Sequence, residues 1–558
     1  MSRSSSVRGW GPSHQHIPPP GRHQGDGAVP AAIVLLLAAV LLLHVVHLPD
    51  PLAWPLVSWL RDIAILLAVF VLPRAVRSGR ARAASLLRDR PSAHHPAQPH
   101  APAPTPGELV RARSLALGGG AFLGLLPGGR WATADPEHAV MILGPPRSGK
   151  TSAVVIPSLL AAPGATVSTA TKRDVLDATW RARSRAGQVW LFDPAGEQES
   201  PPPGVRRLCW SPVGAAGSWD GALLTARAMA AASTVGQGTT NEHHWRERSS
   251  ALLAPLLYAA HLTDRPISEV LRWVLRADLD PAGLALEDHD ASVANDVLVG
   301  IAKTDTRERS SIFSATAGVL AAYNADATRH TAANPNFDPD RFVQSTDTIY
   351  ITAPAHRQAL CAPLVVGLLE QIRHATYTRA AAGMHAGSPP VFFCLDEVAN
   401  IAPIHDLPAL VSEAGGQGLH VLVCLQDLSQ ARTRWGQGAE GFLSLFQTKL
   451  ILDGVSDPHT LEAISLALGE YDRQIVSHSL SRSEVRHRFY EKTTPPSDSE
   501  SVTYQTQRQR TLPPGEIAHL PHGRGLLLRG TGWSLLRLAP WHCCEPWVTV
   551  AGTMRSSR

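Results

Sequence analysis

The stretch from Gly144 to Thr151, GPPRSGKT, has the residue types and the spacing of a loop that binds nucleotide phosphates. Glycines let backbone N–H groups close around the β-phosphate, while Lys150 can reach the β- and γ-phosphates and Thr151 can bind Mg²⁺. A glycine- and proline-rich surface turn is the competing interpretation. We predict ATP and Mg²⁺ as cofactors. The predicted nucleotide-binding residues are Gly144, Pro145, Pro146, Arg147, Ser148, Gly149, Lys150 and Thr151.

Two acidic residues, Asp396 and Glu397, end the apolar run of the stretch PVFFCLDEVANI. An aspartate at the carboxyl end of a buried strand can hold Mg²⁺ through a water molecule, and the adjacent glutamate can polarise the attacking water. The acids could instead cap a helix that begins near Val398. Because a phosphate loop needs such a partner, we predict that Thr151 and Asp396 bind the metal and that Glu397 is catalytic.

A glutamine, Gln426, ends the next apolar run, in GLHVLVCLQDLSQ. A glutamine at this place can orient water or sense the γ-phosphate, and it can pass the nucleotide state to a moving part. The alternative is that Gln426 caps the helix that follows. We predict a catalytic role for Gln426.

Short apolar runs that alternate with helical patterns must position these side chains. Runs of this kind, without charged residues, predict a parallel sheet covered on both faces. Between residues 206 and 340 the alternation stops and long helical patterns appear, such as His243–His261 and Ser310–Tyr323, which predicts an all-helical insertion. The expected fold is α/β. The predicted strands are His138–Leu143, Ala165–Thr169, Val189–Phe192, Thr348–Thr352, Val391–Leu395, Leu419–Leu425 and Leu450–Leu452.

Composition narrows the class of protein. A chain of 558 residues with 44% hydrophobic residues can form two or three domains with a large core. The net charge of +4 is mild, so a nucleic-acid partner would be met by a local patch or channel. The six cysteines form no C-x-x-C pair, and Cys394 and Cys424 lie in strand-like runs where a buried thiol is expected.

The N-terminal region predicts a membrane anchor. Residues Ala28 to His47 include no Asp, Glu, Lys or Arg, and a helix of this length can cross a bilayer. A secretory signal peptide is the alternative, although it would export an ATP-binding domain. The second run, Pro51 to Leu72, is interrupted by Arg61 and Asp62 and could be an interfacial or a re-entrant helix. Arginines after this run favour a two-helix hairpin with the ATPase domain in the cytoplasm.

Two polar regions complete the predicted organisation. Proline-rich residues 91–106 indicate an extended tether, and residues 478–510 indicate either a solvated, mobile loop or a DNA-contacting arm. The predicted divisions are 1–27 (cytoplasmic tail), 28–72 (transmembrane hairpin), 73–130 (linker), 131–205 (first part of the nucleotide-binding domain), 206–340 (helical insertion), 341–545 (second part of that domain) and 546–558 (C-terminal tail).

Taken together, the membrane hairpin, GPPRSGKT, VSTATKRDVLDATW, VWLFDPAGE, LDEVANI and LPALVSEAGGQGLHVLVCLQDLSQARTRWG resemble TraG/TraD-type coupling proteins of type IV secretion and conjugation. The late stretches KLILDGVSDPHTLEAISLALG and RTLPPGEIAHLPHGRGLLLRG are similar to the end of the same family's motor domain. The resemblance implies a RecA-like P-loop ATPase that assembles as a homo-hexamer at the inner membrane. It implies single-stranded DNA with a relaxase, or a protein, as cargo for a type IV secretion channel.

The sequence departs from the family pattern at one place, and three functions remain open. Relatives often carry an arginine between the glutamate and glutamine strands, whereas Ser412–Gly418 reads SEAGGQG, so Arg432 or Arg434 could serve the neighbouring subunit instead. The first function is a DNA-pumping motor, and the second is a receptor that delivers effector proteins. The third is a docking protein that binds ATP and hydrolyses it slowly.

Overall fold

Fourteen strands are present in the computed structural model, which describes residues 104–197, 200–238, 241–483 and 497–552. Twelve form one sheet and two form a separate ribbon. The strands are β1 (Phe122–Leu125), β2 (Trp131–Thr133), β3 (Val140–Leu143), β4 (Thr166–Ala170), β5 (Val189–Phe192), β6 (Val205–Arg207), β7 (Thr348–Thr352), β8 (Val391–Leu395), β9 (Leu419–Leu425), β10 (Thr448–Leu452), β11 (Glu470–Ser483), β12 (Ser497–Arg510), β13 (Arg524–Arg529) and β14 (Gly532–Arg537).

The main part of the sheet is parallel, with strand order β10-β3-β9-β8-β4-β7-β5-β6. Alternate residues of β3 join two separate apolar clusters, Met141 and Leu143 on one face and Val140 and Ile142 on the other. Because both faces are covered, the strands need apolar residues throughout. All seven predicted runs form strands of this parallel part, which confirms the predicted α/β class.

Helices connect the strands and cover the sheet. The phosphate loop leads into a π-helical turn, Thr151–Val155, that continues as a helix. The α-helices are α1 (Pro106–Ala116), α2 (Ile156–Ala161), α3 (Asp174–Arg183), α4 (Pro212–Ala215), α5 (Trp219–Ala232), α6 (Glu242–Leu262), α7 (Ile267–Arg276), α8 (Asp280–Asp288), α9 (Ser292–Ala302), α10 (Thr306–Val319), α11 (Asp326–Ala332), α12 (Pro339–Val343), α13 (Gln358–Ala381), α14 (Val398–Ile401), α15 (Leu407–Glu413), α16 (Leu428–Trp435), α17 (Phe442–Leu445), α18 (Pro458–Ala467), α19 (Pro514–Ala518) and α20 (Trp547–Ala551).

The predicted insertion consists of helices α4 to α12, and no strand occurs between β6 and β7 in the described part of the chain. Its helix α5 packs against both α6 and α13, the helix that follows β7. Ser218 caps α5 by accepting a hydrogen bond from the N–H of Gly221. Buried residues of α5 and of the sheet belong to the same apolar cluster, so the insertion shares a core with the nucleotide-binding fold.

Four antiparallel strands, in the order β2-β1-β14-β13, extend the sheet beyond β10. Residues before Trp131 therefore belong to the folded domain, and the prediction of a linker up to residue 130 is wrong. Helix α1 begins with a capping box in which Thr105 and Glu108 bind each other's backbone N–H groups. The spacing T-x-x-E was a local signal for this helix.

The described residues of the polar segment 478–510 form strands and not the loop that the sequence indicated, while the alternative of a DNA-contacting arm stays a prediction. These residues belong to β11 and β12, two strands of 14 residues each that form an antiparallel ribbon. Leu480 and Tyr504 are 81% and 74% exposed. A ribbon that exposes both faces needs no alternation of apolar and polar residues, which is why its sequence resembles that of a loop.

The predicted membrane hairpin, residues 28–72, lies outside the described residues, as do the tail before it and most of the linker after it. Among the residues that are described, no helix combines the length and the apolar character needed to span a bilayer.

A buried arginine, Arg183, fixes two connections that precede strands β4 and β7. Its guanidinium donates hydrogen bonds to Thr348 Oγ1 at 2.7 Å, to the carbonyl oxygens of Gly164 and Thr346 at 3.1 Å each, and to the carbonyl oxygen of Ala162. Burial lowers the pKa of Arg183 to about 10. The side chain is fully buried, so these neutral oxygens replace its hydration.

A second buried polar residue, His420 in β9, connects the central sheet to the segments around β1 and β2. Its Nε2 accepts a hydrogen bond from the N–H of Ala121 at 3.1 Å, so Nδ1 carries the proton and donates to the carbonyl of Pro136 at 3.1 Å. Burial lowers the pKa of His420 to about 4 from the usual 6.5. The ring is therefore neutral in the folded protein near pH 7.

His420 makes stability depend on pH. Its folded pKa lies below its unfolded pKa, so its contribution is present above pH 6.5 and is lost as the pH falls toward 4. We expect this group to lower the free energy of unfolding by about 2 kcal/mol between pH 7 and pH 5. Urea denaturation of the protein and of a His420→Gln variant, whose amide can make both bonds but does not titrate, would measure it. Equal pH slopes for the two proteins would contradict this prediction.

Candidate nucleotide-binding site

The phosphate loop follows β3, where the N–H of Gly144 donates a hydrogen bond of 3.1 Å to the carbonyl of Leu425 in β9. A Cβ atom at position 144 would lie 2.6 Å from Ser148 Oγ and 3.0 Å from Leu452 Cβ, so the turn requires glycine there. Gly149 has φ +89° and Arg147 has φ +67°. Residues other than glycine rarely adopt the left-handed backbone conformation, and those that do are often found at functional sites.

Two side chains of the loop are ready to bind an anion. Lys150 is 8% exposed, and its Nζ donates to the carbonyl oxygen of Pro145 at 2.9 Å and also to that of Gly144. Ser148 Oγ is buried and has no hydrogen-bond partner among the described residues. A buried hydroxyl without a partner is costly, so a bound phosphate oxygen would satisfy it. The loop therefore fits the phosphates of a nucleotide.

Thr151 and Asp396 lie together, as the sequence predicted. Thr151 Oγ1 donates a hydrogen bond of 2.8 Å to Asp396 Oδ2, although 245 residues separate them in the chain. Burial raises the pKa of Asp396, and the Thr151 hydrogen bond and the charge of Lys150 partly oppose that rise. A hydroxyl and a carboxylate are hard oxygen ligands of the kind that Mg²⁺ prefers. The pair fits the proposed metal.

Glu397 follows directly at the end of β8 and lines the same cavity as the loop. Its backbone is left-handed, with φ +55°, and its Oε2 accepts a hydrogen bond of 3.2 Å from Asn400 Nδ2. Burial and the charge of Asp396 raise the pKa of Glu397. A helix does begin at Val398, but it has no side-chain capping hydrogen bond in the described structure, so capping does not explain the two acids.

Gln426 lies at the same end of the parallel strands as the phosphate loop, but it is not one of the described residues that line the cavity. It follows β9, which lies between the phosphate-loop strand and β8, and its N–H donates to Gln430 Oε1 at 2.9 Å. The helix cap is Asp427, whose carboxylate accepts from the N–H of Gln430 at 3.0 Å. The capping alternative for Gln426 is therefore wrong, and its catalytic role stays a prediction.

The cavity over the phosphate loop has a volume of about 530 Å³. Side chains from distant parts of the chain line it together with Asp396 and Glu397, and sequence reasoning missed them. Three of them, Thr171, Lys172 and Asp174, follow β4, the parallel neighbour of β8, so their position at a strand end was an available signal. Trp541 had no such signal because it comes after the last strand. The missed residues are Thr171, Lys172, Asp174 and Trp541.

The segment without an arginine, Ser412–Gly418, precedes β9, whereas the phosphate loop follows the parallel strand β3. The two segments therefore lie at opposite ends of the strands. The two arginines considered as substitutes are engaged within the chain. Arg432 forms an ion pair of 3.2 Å with Asp457, and Arg434 donates to the carbonyl oxygen of Pro403 at 3.4 Å. In the described part of this chain neither arginine lines the phosphate cavity.

Comparison with solved structures identifies the fold. The coupling protein TrwBdeltaN70, unbound, has a TM-score of 0.55 at 17% identity and covers 75% of this chain and 88% of its own. TrwB in complex with the ATP analogue ADPNP has a TM-score of 0.53 at 17% identity, with 73% and 86% coverage. TrwB in complex with ADP and Mg²⁺ has a TM-score of 0.53 at 16% identity, with 77% and 92% coverage.

Sequence comparisons identify the family. Conjugal transfer protein TraG of Escherichia coli is 24% identical over an alignment of 327 residues. The match covers 54% of this chain, and the chain spans about half (49%) of that relative. The family model described as type IV secretory system conjugative DNA transfer matches residues 105–531, which is most of the chain. This match confirms the predicted resemblance to TraG/TraD-type coupling proteins. The chain belongs to the type IV secretory system conjugative DNA transfer family.

Proposed function

We propose that the protein is an ATP-hydrolysing coupling protein that pumps single-stranded DNA, with its attached relaxase, into a type IV secretion channel. The observation that carries this proposal is the hydrogen bond of 2.8 Å between Thr151 and Asp396, beside Lys150 and Glu397 in one cavity. This arrangement joins a phosphate loop to the acids that hydrolysis needs. Family membership supports the DNA cargo.

The residues of the cavity would have separate roles in hydrolysis. Lys150 would exchange its backbone carbonyl acceptors for phosphate oxygens, and Ser148 Oγ would gain the partner it lacks. Thr151 and Asp396 would hold Mg²⁺, which when bound supplies positive charge against the charge that develops on the phosphates. Glu397, whose pKa is raised by burial and by the charge of Asp396, would orient the attacking water and accept its proton. The complexes of TrwB with ADPNP and with ADP and Mg²⁺ support this choice of ligands.

The proposal includes a place in the cell. Residues 28–72 would anchor the chain in the inner membrane as a hairpin, and the ATPase domain would face the cytoplasm. Six copies would form a ring, as the resemblance implies. Such a ring would hold DNA through phosphate contacts with little sequence preference.

Steady-state ATP turnover of the full-length protein, with and without single-stranded DNA, tests the proposal. We expect DNA to raise turnover at low salt and to lose this effect at moderate salt, because phosphate contacts release counterions. The Lys150→Ala variant is the inactive reference. If DNA did not change turnover at either salt concentration, the proposed DNA-pumping motor would be contradicted. If Glu397→Gln also left turnover unchanged, a nucleotide-gated docking protein, the alternative suggested by the missing arginine in Ser412–Gly418, would be favoured. If Glu397→Gln abolished a turnover that does not respond to DNA, a receptor that delivers effector proteins would be favoured.

A further inference from the structure

An aromatic side chain lies in the nucleotide cavity without a role in phosphate chemistry. Trp541 comes from the segment after β14, and it is the one aromatic residue among the described side chains that line the cavity. The turn that contains it, Trp541–Cys543, packs against Thr151–Val155, the helical turn that carries the metal-binding threonine. The C-terminal segment therefore returns to the centre of the proposed site.

The segment around Trp541 is held at both ends. Before it, the N–H of Leu538 donates to the carbonyl of Gly523 at 2.8 Å. After it, Trp547 is 1% exposed and packs against Phe122 and Trp131, with ring centroids 4.9 and 5.0 Å apart. Buried aromatic contacts of this kind restrict the chain strongly. The chain that carries Trp541 is thus anchored on both sides of this residue.

The cavity is chemically divided in a way that matches a nucleotide. Lys150 and Ser148 suit charged phosphates and the two acids suit the metal and the attacking water, whereas Trp541, Ile156 and Ala170 provide apolar surface in the same cavity. A nucleoside triphosphate has the same division, because a flat aromatic base is joined to a charged tail. Aromatic side chains are the usual stacking partners of bases.

We infer that the indole of Trp541 is the stacking surface for the base of the bound nucleotide. This inference rests on the proposed function, since it assumes that the phosphate loop binds a nucleotide. Stacking uses the π-face that every base has, so it adds affinity with little choice between bases. The competing interpretation is that Trp541 serves only the apolar cluster against which it is partly packed.

The affinities of two ligands, the ATP analogue AMP-PNP and inorganic tripolyphosphate, distinguish these interpretations. Each affinity would be measured by calorimetry on the full-length protein in the presence of Mg²⁺. Replacing Trp541 by leucine keeps apolar bulk but removes the ring. We expect Trp541→Leu to weaken AMP-PNP binding roughly 10- to 100-fold and to leave tripolyphosphate binding unchanged. Trp541→Phe should recover most of the loss, because it restores a π-face.

Matched controls make each outcome decisive. Trp533→Leu removes a tryptophan of β14 that is 41% exposed and does not line the cavity, so it should change neither affinity. Unchanged AMP-PNP binding in Trp541→Leu, or an equal loss for both ligands, would overturn the inference. If the wild-type protein bound neither ligand, and Lys150→Ala behaved identically, the proposed nucleotide site itself would fail.

Discussion

Replacing Glu397 by glutamine is expected to lower ATP turnover by roughly 10²- to 10⁴-fold, the usual contribution of a general base. Glutamine has nearly the same shape and can still contact Asn400, but it cannot accept a proton from water. Nucleotide binding should persist, because Lys150, Thr151 and Asp396 are unchanged. Turnover and AMP-PNP affinity of the purified variant would measure the two effects separately.

The control for this substitution is Glu516→Gln, which removes a charge from an exposed glutamate in helix α19 and should leave turnover unchanged. If Glu397→Gln retained wild-type turnover, the assignment of the base would be wrong. If Glu397→Gln also lost AMP-PNP binding, Glu397 would be needed to form the site, and its catalytic role would be unsupported.

Replacing Arg183 by methionine is expected to destabilise the fold by about 3–5 kcal/mol. Methionine fills much of the space but donates no hydrogen bonds, so the buried oxygens of Ala162, Gly164, Thr346 and Thr348 would lose their partner. Since these oxygens belong to connections leading into β4 and β7, the loss should affect the centre of the sheet. Urea denaturation at constant pH would measure the change.

An arginine two residues later gives a matched comparison. Arg185 is exposed, and Arg185→Met should change the free energy of unfolding by no more than about 0.5 kcal/mol. Equal effects of the two substitutions would show that Arg183 does not act through its buried hydrogen bonds.

The parallel sheet was predictable because its strands are buried on both faces. Runs such as Val391–Leu395 and Leu419–Leu425 consist almost entirely of apolar residues, and their bounds were predicted without error. Their polar neighbours, Asp396 and Gln426, mark the strand ends, so chain position alone put them at one edge of the sheet. Parallel pairing then brings Asp396 to Thr151.

The missed features depend on contacts between distant residues. The ribbon of β11 and β12 is held by backbone pairing between the two strands, and most of its described side chains are exposed, so it contributes no buried apolar run to the sequence. Trp541 reaches the cavity only because the chain returns after β14, almost 400 positions after the phosphate loop. In contrast, the start of the domain at Thr105 was available locally from its capping box.

The meeting of the two ends of the folded domain has a mechanical consequence. Helix α1, which receives the chain from residues before Thr105, packs against α2, the continuation of the phosphate-loop helix, and α20 contacts both. Tension applied to the preceding chain would therefore reach the helix that carries Thr151 through direct side-chain packing. Because coupling between sites is reciprocal, nucleotide binding at the phosphate loop would in turn affect the packing of α1 and α20.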